Sequence, residues 1–221
     1  MTLFPPALQA IEDDILLAVN GLHSPFFDQF MWFVSDKLIW LPFYLGLFYF
    51  IAKSVGWKHA VIALVGIALV VILSDQLAVR TLRIWFPRMR PAFPDNPIAP
   101  LVHIVNDYRS GKNGFPSAHA FNVFGLATYV TLLLRYKWLS ISLFLWAILI
   151  CYSRRYLGVH YLGDLLFGAV VGSLFAWGAF ALHKHYFKLK RPKKLPTTFW
   201  FLGGTIASFV LVLLCSFVYL N

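Results

Sequence analysis

Three short groups of residues carry types that can do chemistry together: Arg83-x6-Arg90-Pro91, Pro116-Ser117-Ala118-His119, and Ser153-Arg154-x5-His160-x3-Asp164. A guanidinium is planar and holds two oxygens of an oxyanion at once. Arg83, Arg90 and Arg154 together could offset the charge of a phosphate without a metal. Ser117 stands where a helix is expected to begin. Its hydroxyl can cap that helix or donate to an anion, and the free backbone N–H groups of Ala118 and His119 favour negative charge there. His160 and Asp164 are four apart, hence on one face of a helix. A carboxylate there can fix the imidazole tautomer and make the other ring nitrogen a better nucleophile. His119, on a different segment, can protonate a leaving oxygen and later activate water. A cation held by His119, His160 and Asp164 would be repelled by the arginines, so no metal and no cofactor are expected. Taken singly, Pro-Ser at a helix start is usually a cap and His-x3-Asp is usually structural. Their concurrence in one chain is what points to a site. His23, His59 and His103 have no comparable company in the sequence, and His183 and His185 read as part of a basic loop.

The elements that must position these groups are set by composition. The 221 residues are 60% hydrophobic and 13% charged, against roughly half and a quarter in a soluble domain. The excess lies in continuous runs long enough to span a bilayer, so the expected fold is all-α and polytopic rather than a β-barrel. One integral-membrane domain covering 1–221 is expected. The formal net charge of +10 sits in the loops. It therefore speaks for topology and anionic headgroups, and no nucleic acid partner is expected. Cys151 and Cys215 both fall in apolar runs and suggest no disulfide framework. The first six residues carry no basic region, so no cleavable leader is expected.

An amphipathic helix is expected over 7–22. Ala7, Leu8, Ile11, Ile15, Val19 and Leu22 share a face, with Glu12, Asp13 and Asp14 off it. It could lie in the membrane interface or pack on the end of the bundle. Six spans follow, at about 27–52, 57–82, 116–134, 138–152, 161–182 and 198–220. Asp36 and Lys37 fall inside the first, one expected to face the bundle and the other to snorkel. Asp75 falls inside the second, where it needs a partner, and Arg155 is one candidate. Gly163, Gly168, Gly172 and Gly178 are expected to allow close helix approach in the fifth. Between spans two and three runs a loop, 83–116, with prolines at 87, 91, 94, 97 and 100 that exclude a continuous helix. Its aromatic and apolar residues argue against disorder.

With six spans, the loops after spans one, three and five share a side. They carry ten basic residues: Lys53, Lys58, Arg135, Lys137, Lys184, Lys188, Lys190, Arg191, Lys193 and Lys194. The other side carries seven: Arg83, Arg88, Arg90, Arg109, Lys112, Arg154 and Arg155. The positive-inside rule puts the first side in the cytoplasm and the three reactive groups outside.

The three ordered motifs resemble the signature of the type 2 phosphatidic acid phosphatase superfamily, which includes membrane lipid phosphatases. The likeness runs from span two to span five, and the six-span plan extends it to nearly the whole chain. The resemblance implies that Arg90, Ser117 and Arg154 hold a phosphate and that His160 attacks phosphorus to give a phosphohistidine. It also implies that His119 is the general acid and that Asp164 orients His160. The first position is usually lysine in that family and is Arg83 here, which keeps the charge but not the geometry. Ala118 occupies a place usually held by a small residue. The implied activity is metal-independent removal of phosphate from a membrane lipid: lipid A, undecaprenyl pyrophosphate or phosphatidylglycerol phosphate. The implied location is a bacterial inner membrane with the site on its periplasmic face. Transfer of the phosphoryl group to another acceptor, or non-catalytic binding or transport of an anionic headgroup, stays open on these residues alone. The oligomeric state is not readable.

Overall fold

The structure is a computed structural model that describes residues 5–189, 192–193 and 199–220. Among these the regular structure is helical, without a named strand: α1 Pro6–Asn20, α2 Pro25–Ser35, α3 Leu41–Val55, α4 Trp57–Leu73, α5 Arg83–Trp85, α6 Ala118–Leu134, α7 Lys137–Tyr156, α8 Leu162–Phe187 and α9 Phe199–Val218. Lys137–Tyr156, Leu162–Phe187 and Phe201–Val218 are long and apolar enough to cross a membrane. Leu41–Val55, Trp57–Leu73 and Ala118–Leu134 are shorter apolar helices.

The segment read as one span over 27–52 is two helices. Pro42 lacks an N–H, and its ring would collide with the carbonyl of residue 38, so no α-helix runs through this point. The chain leaves α2 extended at Asp36, whose Oδ1 accepts from the N–H of Leu38 at 2.8 Å. Trp40 donates its indole N–H to the carbonyl of Val34 at 2.9 Å, satisfying an end of α2. Asp36 and Lys37 lie in this break and are both exposed, so neither buries itself in the bundle as expected. Antiparallel packing on α9 spans the break: Phe26 meets Phe217 near one end, Trp40 meets Phe209, and Phe43 meets Phe201 near the other.

α4 continues into a π-helical stretch, Ser74–Leu82, and then α5, so the helical run is unbroken from Trp57 to Trp85. Wide turns of this kind collect at functional ends of helices. This one delivers Arg83 to the mouth of the bundle. The side chain of Asp75 lies outside the described residues, and so does its suggested pairing with Arg155.

α6 is the central helix, packed by α4, α7 and α8. The approach of α8 depends on two of the four glycines read as spacers. A Cβ at Gly168 would lie 2.5 Å from the carbonyl oxygen of Ser117, and one at Gly172 would lie 2.2 Å from that of Phe121. Gly178 faces open space. His183 and His185 belong to α8 rather than to a loop, because α8 runs to Phe187. Buried His183 joins Tyr129 at 2.7 Å and His59 at 3.1 Å.

At that end of the bundle three of the basic connections meet. Lys193 donates its N–H to Ser54 at 2.9 Å, and Tyr136 donates its hydroxyl to Lys193 at 2.7 Å. Lys190, Arg191 and Lys194 lie outside the described residues. The 83–116 segment folds on itself at the opposite end. Arg90 N–H donates to Lys112 at 2.9 Å, and Gly114 N–H to Arg88 at 2.8 Å. Ala92, Val102, Val105 and Phe115 are buried.

α1 seats against α7 and α8 with an unexpected face. Glu12, Leu16 and Asn20, spaced four apart, point inward and are buried. Leu8, Ile11, Ile15 and Leu22 of the apolar stripe are exposed. The helix is thus both packed on the bundle and free to offer an apolar face to lipid.

Candidate active site

The three motifs converge. Arg90 is nearly fully buried, and its Nη1 donates to the carbonyl of Val159 at 2.7 Å and to Nε2 of His160 at 2.8 Å. Guanidinium nitrogens are donors only, so Nε2 must be the acceptor. The proton of the neutral ring then sits on Nδ1, which faces Oδ2 of Asp164 at 3.3 Å. Burial, then the charges of Arg90 and Arg154, hold the His160 pKa well below the ordinary imidazole range. Burial, then Arg83 and Arg154, pull that of Arg90 down to about 10. Both shifts describe a pocket crowded with positive charge.

His160 is not on a helix, as its spacing from Asp164 had suggested. α8 begins only at Leu162. Asp164 is its third residue and turns back to accept from the N–H of Tyr161 at 3.1 Å. That capping contact, rather than a shared helical face, brings the carboxylate to the imidazole. Asp164 also anchors the second motif, since its carbonyl accepts from the N–H of Ser117 at 3.0 Å.

Ser117 is fully buried and caps α6, its hydroxyl accepting from the N–H of Ala120 at 3.4 Å. Ala118 and His119 form the first turn of α6, half-buried. α7 is one turn longer than the 138–152 span, so Arg154 lies on its last turn. Its guanidinium reaches the hydroxyls of Ser35 and, at 3.2 Å, Tyr108. Arg83 lies at the rim, its Nη2 3.5 Å from the carbonyl of Pro116. The Nε atoms of Arg90 and Arg154 are buried without a hydrogen-bond partner. Such groups are costly unless an anion supplies acceptors. Arg155 Nε and Nη2 are buried and unpartnered as well, without joining the cluster described above.

A cavity of about 610 Å³ opens at His119. Tyr44 of α3, Ile67 and Val71 of α4, Asn122 and Val123 of α6, and Trp146 and Ile150 of α7 line it, with Lys37 and Trp40 from the α2–α3 break. It is mostly apolar, and Ser35, which pairs with Arg154, stands on its wall with Ala118 and His119.

Several residues here carried no assignment in the sequence. Arg88, one of the loop's basic residues, donates from Nη1 to Oδ1 of Asp164 at 3.0 Å. A Cβ on Gly114 would lie 3.0 Å from Oδ2 of Asp164, so only glycine leaves that carboxylate its present room. Ser35 and Lys37 reach the site through a helix break that hydropathy does not register. His103, read as a lone loop histidine, pairs with Asp28 at 2.9 Å and stacks on His23 with centroids 3.7 Å apart.

Residues 59–188, which carry all three motifs, match the family model of the PAP2 superfamily. The chain belongs to the PAP2 superfamily. It is 45% identical over 190 residues to a lipid A 4′-phosphatase of Bacteroides thetaiotaomicron, covering 86% of this chain and 84% of that one. It is 31% identical over 163 residues to a lipid A 4′-phosphatase of Porphyromonas gingivalis, covering 73% and 68%. In fold it resembles the crystal structure of a transmembrane PAP2-type phosphatidylglycerolphosphate phosphatase from Bacillus subtilis, with a TM-score of 0.62 at 22% identity over 82% of this chain and 89% of that one. The PAP2 match and the apolar helices make this an integral membrane protein.

Proposed function

We propose that this protein hydrolyses a phosphoric ester on a membrane lipid, with His160 as nucleophile. The contact that carries the reading is Arg90 Nη1 to His160 Nε2, with Asp164 behind Nδ1. It leaves an unprotonated nitrogen facing a cluster of arginines. A phosphate drawn in by Arg83, Arg90, Arg154 and the first turn of α6 displaces Arg90 from Nε2. Arg90 then holds phosphate oxygens while the lone pair attacks phosphorus. Asp164 accepts the hydrogen bond of the Nδ1 proton and stabilises the charge that develops on the ring. His119, at the cavity mouth, protonates the departing alkoxide and then activates the water that cleaves the phosphohistidine. The dianionic phosphate supplies the countercharge that lets His119 carry its proton among the arginines. Ser117 caps α6 and keeps its N–H groups turned toward the anion. Every charge in this scheme comes from the chain and the substrate, so no metal is required.

The substrate we infer is a lipid A phosphate, as in the names of both relatives, with the apolar cavity receiving part of the lipid body. The chain 1–221 acts as one domain crossing the membrane six times, with α2 and α3 as the two halves of the first crossing. The basic loops gathered at one end face the cytoplasm, so the site faces the periplasm of an inner membrane. Phosphate release by purified protein from lipid A, undecaprenyl pyrophosphate and phosphatidylglycerol phosphate tests this. Fastest release from lipid A is expected. Release from the other two alone would move the substrate, and release from none would remove the phosphatase reading.

A further inference from the structure

The orienting carboxylate of the reaction is itself held by a buried ion chain that begins on α1. Arg88 stands at its centre, almost fully buried. Nη1 donates to Asp164 Oδ1 at 3.0 Å, and Nη2 donates to Glu12 Oε2 at 2.8 Å and to Gln9 Oε1 at 2.9 Å. The guanidinium lies over the ring of Tyr161, 4.0 Å from its centroid. Glu12 uses its second oxygen to accept from the N–H of Gly163 at 2.8 Å, in the first turn of α8. The side chains of Glu12, Arg88 and Asp164 are 9%, 6% and 0% exposed.

We infer that Glu12 and Arg88 are positioning residues for His160, acting through Asp164. One guanidinium between two buried carboxylates balances neither alone. If Glu12 lost its charge, the Arg88 cation would be offset by Asp164 only and would draw that carboxylate toward itself, away from Nδ1. With both carboxylates charged, Arg88 is shared, and Oδ2 stays with His160 and the N–H of Tyr161. The chain also explains why α1 buries its polar stripe and leaves its apolar stripe outward. The inward stripe holds the nucleophile's orienter, and Asn20, two turns after Glu12, fixes the end of α1 to the carbonyls of Tyr156 at 2.7 Å and His103 at 3.0 Å. Seating of the interfacial helix is thus tied to the geometry of the reacting histidine.

This inference rests on His160 as nucleophile, and the experiment separates the two. Phosphate release is measured at saturating and limiting lipid phosphate for Glu12→Gln, Arg88→Lys, Arg88→Met, Asp164→Asn, His160→Gln and the double variant Glu12→Gln/Asp164→Asn, with thermal midpoints recorded for each. Glu12→Gln keeps the size of the side chain and removes its charge. It is expected to lower kcat about 10-fold while leaving KM within about twofold, since it touches orientation and not substrate. Asp14→Asn, on the exposed side of the same helix, is the control and should match the parent. In the Asp164→Asn background the Glu12 change should cost nothing more, because residues acting through one group are not additive. Arg88→Lys, which keeps a cation between the carboxylates, should retain more kcat than Arg88→Met, and this ordering stands even if Glu12→Gln folds poorly. Parent kcat in Glu12→Gln, a loss confined to KM, or a loss that multiplies with Asp164→Asn would overturn the inference while leaving the nucleophile untouched. Activity in His160→Gln would instead remove the reading beneath it.

Discussion

Arg90 Nη1 lies 2.8 Å from Nε2 of His160, and only the guanidinium has a proton to give. That single contact fixes the tautomer of the ring, sets its Nδ1 proton toward Asp164, and places a guanidinium against the lone pair proposed to attack phosphorus. In the proposed mechanism binding and attack are therefore linked, since the substrate has to take Arg90 before it can be reached by His160.

A buried neutral histidine makes stability depend on pH with a definite sign. The His160 pKa in the fold lies well below its unfolded value of about 6.5. Below about pH 6.5 the unfolded chain takes up a proton that the fold refuses. Stability is therefore complete above that pH and is lost as pH falls, by up to about 1.4 kcal/mol per unit. His160→Gln should flatten the fall of the thermal midpoint between about pH 7 and about pH 5 relative to the parent. Parallel curves would mean that His160 titrates alike in the folded and unfolded chain.

Gly114 is a steric test of the same geometry. An added Cβ would lie 3.0 Å from Asp164 Oδ2 and 3.1 Å from Arg90 Cγ, so the neighbours must shift by a few tenths of an ångström. Displacing an orienting group by that much costs rate before it costs stability. Gly114→Ala is expected to lower kcat by about 10-fold or more, with a thermal midpoint close to the parent's. Unchanged kcat would show that the carboxylate tolerates displacement.

Vanadate adopts the trigonal bipyramid of attack at phosphorus. It is expected to inhibit competitively against the lipid phosphate, and a chelator should leave activity unchanged because the arginines supply the positive charge. Loss of activity on chelation, restored by a divalent cation, would require different chemistry.

Much of this was readable in the residues because the relevant signals are local. The apolar runs announced the helices, and the three motifs announced which ends of them to watch. What was hidden depended on contacts across long sequence separation. Glu12 looked like the polar side of an amphipathic helix, and 76 positions separate it from Arg88. Hydropathy runs straight through Pro42, since one proline among apolar residues barely lowers a window average, so the break that brings Ser35 and Lys37 to the site is not visible in it. The spacing of His160 and Asp164 suggested the right contact for the wrong reason, a shared helical face instead of a cap.

The proposed mechanism turns on His160 as nucleophile. Brief exposure of the purified protein to a lipid carrying radiolabelled phosphate, followed by rapid denaturation, tests it directly. The expected label is stable to base, labile to acid, maps to the peptide containing His160 and is absent in His160→Gln. Label retained in His160→Gln, or an acid-stable label on another residue, would contradict it.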